Sequence, residues 1–164
     1  MSYARKITAG SVSCYDKSLD LLARRMHSRA ELERKLLDRG YVEDEVELTL
    51  DRLTDCRLLD DDAFARRQAE RMMQGKGFAP RRIAQELRQR GVDGETIDAA
   101  VNSLEDYDPC AAISTLLERK FSRFLTTEQG RRRTVNALVR LGYGWQDIRK
   151  VMQNFDDTED FCDE

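Results

Sequence analysis

The feature that most constrains the fold of this chain is an internal repeat of 51 residues centred on three glycines, Gly40, Gly91 and Gly142. Each glycine follows a leucine by four residues and precedes apolar residues by one, six, ten and thirteen. These frame positions are Leu36, Tyr41, Val46, Leu50 and Leu53, then Leu87, Val92, Ile97, Val101 and Leu104, then Leu138, Tyr143, Ile148, Met152 and Phe155. Five matching positions in three registers are hard to obtain by chance, so the chain is predicted to hold three copies of one unit.

Spacings of three and four between apolar residues predict amphipathic helices, and each glycine predicts a helix end. Helix starts are predicted from an S-x-x-E capping box at Ser28 and Glu31, from Pro80, and from Thr126 or Thr127. A further helix precedes each pair, at roughly 16–26, 61–74 and 110–121, with Asp60 or Asp61 and Asp108-Pro109 as start signals. The predicted fold is all-α, with about nine helices in three tandem three-helix repeats that form an elongated array.

The same frame sets the predicted boundaries. Residues 1–14 are expected to be a flexible N-terminus, and the three repeats are expected at 15–59, 60–108 and 109–155. Residues 156–164 hold six acids and no base, which predicts a disordered acidic tail. Such a tail could cover a basic face and weaken binding to an acidic partner.

Composition excludes several classes of protein. No window approaches the ~20 consecutive apolar residues of a membrane span, and no signal-peptide pattern is present, so we expect a cytoplasmic protein without membrane contact. The four cysteines lie far apart and His27 is the only histidine, so no metal, cofactor or catalytic constellation is expected. The Gly75-Lys76-Gly77 turn lacks the frame of a phosphate loop. Trp145 is expected to be a core residue.

Charge is segregated along the chain. Residues 64–90 carry eight bases and two acids, and residues 118–150 carry nine bases and three acids. Residues 93–108 carry six acids and no base, and residues 38–62 carry ten acids and three bases. Such blocks fit a basic face that meets nucleic acid or a protein wrapped on it, but solvated helix faces give the same pattern, and charge alone favours them.

Two segments carry the residues of a recognisable sequence pattern. In the stretch 59–92 these are Leu59, Asp60, Asp61, Phe64, Ala65, Arg66, Lys76, Gly77, Phe78, Pro80, Arg81, Arg82, Ile83, Glu86, Leu87 and Gly91. In the first repeat they are Leu22, Ala23, Arg24, Arg25, His27, Ser28, Glu31, Leu32, Lys35, Leu36, Gly40 and Tyr41. Both segments resemble the RecX family, and the stretch 59–92 resembles its most characteristic segment. Ala79 stands where the family usually has glycine, and would strain the turn if that residue needs a positive φ.

The resemblance implies a curved array of three repeats and a regulatory protein without chemistry of its own. It implies a protein that binds the RecA recombinase filament on single-stranded DNA and inhibits the ATPase, strand-exchange and co-protease activities of RecA. From the nine-helix pattern we expect a monomer. Binding in the filament groove, end capping and promoted dissociation all remain open. The alternative is a direct nucleic-acid binder that competes for DNA. The basic residues expected to contact the filament or DNA are Arg24, Arg25, Arg66, Arg67, Lys76, Arg81, Arg82, Arg131, Arg132 and Arg133.

Overall fold

The computed structural model describes residues 12–104 and 107–159, with side chains described as far as residue 154. Within these ranges the chain forms nine α-helices and no strand, which confirms the all-α prediction. They are α1 (Cys14–Arg24), α2 (Arg29–Leu37), α3 (Glu43–Asp55), α4 (Asp61–Arg71), α5 (Pro80–Gln89), α6 (Gly94–Asn102), α7 (Pro109–Leu116), α8 (Glu128–Arg140) and α9 (Trp145–Glu159). Two π-helical segments follow α4 and α7, at Met72–Lys76 and Leu117–Phe121, and a 3-10 turn at Ser122–Phe124 precedes α8.

The 51-residue period is present in the helix starts. The helices α2 and α5 begin 51 residues apart, as do α3, α6 and α9. The helix α8 begins at Glu128, three residues before the period predicts. It starts early because Thr127 caps it, accepting a hydrogen bond from the Gly130 N–H at 3.1 Å.

The repeated glycines end the second helix of each repeat, as predicted. Gly40, Gly91 and Gly142 have φ values of 87°, 76° and 97°, the left-handed region that glycine occupies without a Cβ penalty. The residues after Gly40 and Gly142 turn back on their helices. The Tyr41 N–H donates to the Leu36 oxygen at 3.3 Å, and the Tyr143 N–H donates to the Leu138 oxygen at 3.2 Å.

Most of the predicted start signals also form. The Ser28 hydroxyl accepts from the Glu31 N–H at 3.1 Å, Asp60 accepts from the Ala63 N–H at 2.8 Å, and Asp108 accepts from the Cys110 N–H at 2.8 Å. The capping box is only half formed, because the buried Glu31 carboxylate binds two arginines instead of the backbone. The prediction that Trp145 is a core residue is wrong: its side chain is 62% exposed.

Ala79 causes no strain in the turn before α5. Among the described residues, the only one other than glycine with positive φ is Arg57, so Ala79 has an ordinary backbone conformation. Ala79 is buried, and its N–H donates to the Leu141 oxygen at 2.9 Å. It therefore serves as a buried backbone donor, which proline could not be because it has no N–H.

The chain divides into two compact units. The first contains the chain up to Phe64 and the three residues Arg90–Val92, and the second contains Ala65–Gln89 and the chain from Asp93 onward. The core of the first consists of Cys14, Leu21, Leu32, Leu36, Val46, Leu50, Leu53 and Leu59. One core cluster of the second consists of Ala79, Ile113, Leu116, Leu117, Leu125, Leu138, Tyr143, Ile148 and Val151. Among the described residues, no helix is both long and apolar enough to cross a bilayer.

Candidate interaction surfaces

The turn before α5 gathers two predicted contact residues around one aromatic ring. The Lys76 Nζ lies 5.1 Å from the centre of the Phe78 ring, and the Arg82 Cζ lies 5.5 Å from it. We call these three residues the Phe78 cluster. The chain folds this way because Gly77, with φ of 70°, ends the π-helical segment and Pro80 begins the next helix.

The Phe78 cluster combines a planar ring with two cations. Cation–π contacts of this kind stabilise an exposed site by about 0.5–1 kcal/mol, so the ring holds both charges near one place. Arg82 also forms an ion pair with Glu86 at 2.6 Å, one helical turn further on. Arg81 beside it is exposed, as are Arg66 and Arg67 on α4. In the second unit, exposed cations therefore occur both before and after the turn that contains Phe78.

The Arg131–Arg133 run is divided by its contacts. The half-buried Arg131 donates from Nε to the Leu125 oxygen at 2.7 Å, which ties α8 to the segment before it. Arg132 pairs with Glu128 at 2.9 Å on the exposed face of α8, and Arg133 is exposed. Arg131 therefore has a structural role in addition to any contact with a partner.

In the first unit, Arg24 and Arg25 are both exposed at the end of α1. Arg25 donates to the Glu31 carboxylate at 2.9 Å, and Arg90 donates to the other oxygen of the same carboxylate at 3.2 Å. The Ser28 hydroxyl completes this group by donating to the Arg90 backbone oxygen at 2.5 Å. Two of the family-matching residues of the first repeat, Ser28 and Glu31, thus hold Arg90 within the first unit.

A cavity of about 360 Å³ lies in the second unit. The π-helical segment that follows α4 lines one side, and α7 with the π-helical segment that follows it lines the other. Its apolar wall includes Met73, Leu116 and Tyr143, and its cations are Arg119 and Lys120. In the sequence these two cations are visible only as members of a basic block, because no local pattern marks a cavity that distant segments form together.

Burial raises the pKa of the Tyr143 phenol, so this group is a neutral donor at physiological pH. Its hydroxyl donates to the Gly77 oxygen at 3.1 Å. The described residues hold no group of three His, Cys, Asp or Glu side chains placed to share a metal ion.

Helix–glycine–helix units in tandem, with exposed basic residues, define a helical repeat protein. Family models agree. Residues 14–53 match the model for the first three-helix domain of RecX, and residues 60–101 match that for the second. Together they cover half of the chain, and the chain belongs to the RecX family of regulatory proteins, which are not enzymes.

Individual relatives extend the similarity over most of the chain. The regulatory protein RecX of Xanthomonas axonopodis pv. citri is 39% identical over 134 residues, 81% of this chain and 82% of the relative. The RecX of Chromobacterium violaceum is 34% identical over 147 residues, 90% of this chain and 93% of the relative. The crystal structure of RecX from Lactobacillus salivarius superposes with a TM-score of 0.70 at 23% identity, covering 87% of this chain and 94% of that one, and so shares the fold.

Proposed function

We propose that this protein binds the RecA recombinase filament on single-stranded DNA and inhibits the ATPase, strand-exchange and co-protease activities of RecA. The observation that carries the proposal is the Phe78 cluster. The segment 59–92, which holds the most characteristic RecX residues, folds into a turn and helix that present cations around an aromatic ring. A filament of protein on a polyanion offers both acidic groups and phosphates to such a surface.

In this proposal the protein acts by binding, as a monomer, in the cytoplasm where RecA and the bacterial chromosome are found. The exposed Arg24, Arg66, Arg67, Arg81 and Arg133 supply charge that is not committed to the ion pairs described above. Arg25, Arg82 and Arg132 bridge to carboxylates of the protein itself, so their contribution to a partner contact is smaller.

The test is a titration of DNA-stimulated ATP hydrolysis by RecA with the full-length protein. Inhibition at far less than one molecule per RecA protomer indicates end capping, and inhibition that needs near-equal amounts indicates groove binding. A parallel sedimentation with RecA, ATP and single-stranded DNA detects the complex itself. Normal hydrolysis at saturating protein, with no co-sedimentation, would overturn the proposal.

The second candidate is a direct nucleic-acid binder that inhibits by competing for the strand. The basic blocks of the second unit favour it, and the net charge of −3 opposes it. Salt separates the two: phosphate contacts on a single strand lower log K by about 0.7 per contact for each unit of log salt. RecA-free binding with a steep salt slope, at the concentrations that inhibit RecA, would favour competition.

A further inference from the structure

We infer that the cavity of the second unit is a nucleotide site, which takes one unstacked base of a single strand and holds the adjoining phosphate on Arg119 and Lys120. The inference rests on the proposed function in one respect only: binding to the RecA filament would bring single-stranded DNA close to this protein. Four features of the cavity support it: a preformed wall, an apolar interior, polar groups for a base edge and cations at an exposed position.

The wall is held in place by two hydrogen bonds. The Tyr143 hydroxyl donates to the Gly77 oxygen at 3.1 Å, and the Ala79 N–H donates to the Leu141 oxygen at 2.9 Å. Both bonds fix the turn after α4 against the end of α8. A Cβ on Gly77 would lie 2.7 Å from Leu116 Cδ2, so the glycine lets the turn approach α7 closely. The cavity therefore exists before any ligand arrives, as most small-ligand sites do.

The size and lining fit one nucleotide. About 360 Å³ is at the small end of the range of roughly 300–1,000 Å³ seen for small-ligand sites. Met73, Leu116 and the Tyr143 ring offer apolar surface to the faces of a base, and base–aromatic contact is a common means of holding unstacked nucleotides. Gln74 and Thr115 add polar groups that can pair with the edge of a base.

The charge fits a phosphodiester. Arg119 and Lys120 are both exposed, and none of the described residues that line the cavity is acidic. Neither cation forms an ion pair with a described residue. An apolar interior with cations beside it matches a ligand with a flat, weakly polar body and one anionic link, which is the chemistry of a nucleotide within a strand.

The first experiment removes the cations. Binding of a labelled oligothymidylate of about eight nucleotides is followed by fluorescence anisotropy, without RecA, over a series of salt concentrations. The variant Arg119→Gln/Lys120→Gln is compared with Arg149→Gln/Lys150→Gln, which removes the same charges from an exposed Arg-Lys pair on α9 outside the cavity. We expect the cavity variant to bind about tenfold more weakly than the control. The slope of its log K against log salt should also be shallower by about 0.7, the contribution of one phosphate contact on a single strand. Equal losses in the two variants would overturn the inference.

The second experiment fills the cavity without changing charge. A Cβ on Gly75 meets no atom within 4 Å, and the same holds for Gly94, an exposed glycine outside the cavity. We expect Gly75→Leu to weaken strand binding several-fold with an unchanged salt slope, and Gly94→Leu to leave it unchanged. The unsubstituted protein should bind an abasic strand less tightly than the oligothymidylate, and Gly75→Leu should bind both alike. If the unsubstituted protein binds both strands equally, no base enters the cavity.

A third arm identifies the source of the nucleotide. If thymidine monophosphate displaces the strand at concentrations near the Kd of the strand itself, the site belongs to a free nucleotide and the assignment to a strand is wrong. The RecA assay stays separate. Cavity variants that bind the strand normally contradict the nucleotide site but leave RecA inhibition standing, and a protein that does not inhibit RecA can still bind the strand through the cavity.

Discussion

The Ser28 hydroxyl donates a hydrogen bond of 2.5 Å to the backbone oxygen of Arg90, 62 residues further along the chain. Moving both positions forward by one period gives Ala79 and Leu141, whose N–H and oxygen are joined by a hydrogen bond of 2.9 Å. Each bond thus links a residue near the start of one helix to a residue that follows the equivalent helix of the next repeat in sequence. These two hydrogen bonds therefore recur with the same period as the sequence.

The third repeat differs at the corresponding position. One period after Ala79 stands Gly130, and a Cβ there would collide with the backbone oxygen of Phe124, from the 3-10 turn of the same repeat. The space beside Gly130 is therefore filled by the turn that precedes α8.

Gly91→Val should destabilise the protein strongly. Gly91 has φ of 76° and packs against Ala30, so a branched side chain meets both a conformational penalty and a clash. We expect a loss of about 1–2 kcal/mol or more, measured as a lower urea midpoint. Gly94→Val is the control, because a Cβ at that position meets nothing within 4 Å. Equal midpoints for the two variants would contradict the assigned helix end.

Gly130→Ala should destabilise the protein although helix propensity predicts the opposite. Alanine is favoured over glycine within a helix by about 1 kcal/mol, and Gly130 lies within α8. The added Cβ would overlap the Phe124 oxygen, so the turn before α8 must move. We expect a lower melting temperature than that of Gly94→Ala, which adds the same atom in open space. A rise in melting temperature would show that the turn gives way without loss.

The Glu31 carboxylate joins two segments that are far apart in sequence. Its side chain is only 9% exposed and accepts from Arg25 at 2.9 Å and Arg90 at 3.2 Å. Glu31→Gln should lower the free energy of unfolding by about 1–3 kcal/mol, because the amide cannot satisfy both guanidiniums. The arginines are partly exposed, so solvent limits the loss. Glu33→Gln, an exposed position on the same helix, should change it by less than about 0.5 kcal/mol.

His27 should make stability depend on pH. Burial lowers the pKa of His27, and the nearby Arg25 charge lowers it further. Its Nδ1 lies 2.9 Å from the Arg25 oxygen, and Nε2 is buried without a hydrogen-bond partner among the described residues. The unfolded chain binds the proton more readily than the folded protein does. The contribution of His27 is therefore complete above its unfolded pKa of about 6.5 and is lost as the pH falls below it, toward the lower folded pKa.

The measurement is the urea midpoint at pH about 7.5 and at pH about 5.5, on either side of the ordinary histidine pKa. In His27→Asn, the amide can replace the Nδ1–H donor but does not titrate. We expect the unsubstituted protein to lose more stability than the variant over this interval. Parallel pH profiles would show that His27 does not cause the change.

The helix ends could be predicted from sequence because they are local. A glycine in the left-handed region and a capping side chain act within one helical turn, so the frame around Gly40, Gly91 and Gly142 was sufficient. The partners of Glu31 could not be predicted, because its second arginine is 59 residues away and not in the frame. The cavity could not be predicted for a similar reason. Its lining comes largely from the ends of α4 and α7, and the first helices of the repeats do not begin 51 residues apart, so the period does not align them.

The exposure of Trp145 could have been predicted. One and two periods before it stand Gly94 and Glu43, the first residues of α6 and α3, and both are exposed. The repeat therefore predicts that position 145 lies on the surface. The prediction that Trp145 is buried rested on residue type alone, which is weaker evidence than the repeat.

Arg81 is the sharpest probe of the proposed RecA contact. It is exposed in the first turn of α5, beside the Phe78 cluster. An acid near a helix start is favoured by the helix dipole, so Arg81→Glu should leave the melting temperature unchanged or slightly raised. Arg82→Glu is a poorer probe, because it would place a second carboxylate beside Glu86.

We expect Arg81→Glu to raise the concentration for half-inhibition of DNA-stimulated ATP hydrolysis by RecA at least several-fold, since loss of a buried charged contact typically costs about 2–5 kcal/mol. Arg149→Glu, an exposed reversal on α9, supplies the same change in net charge and should inhibit almost normally. The difference between the two variants isolates position 81 from the general effect of charge. Full inhibition by a correctly folded Arg81→Glu protein would exclude this side of α5 from the contact and direct attention to Arg133 on α8.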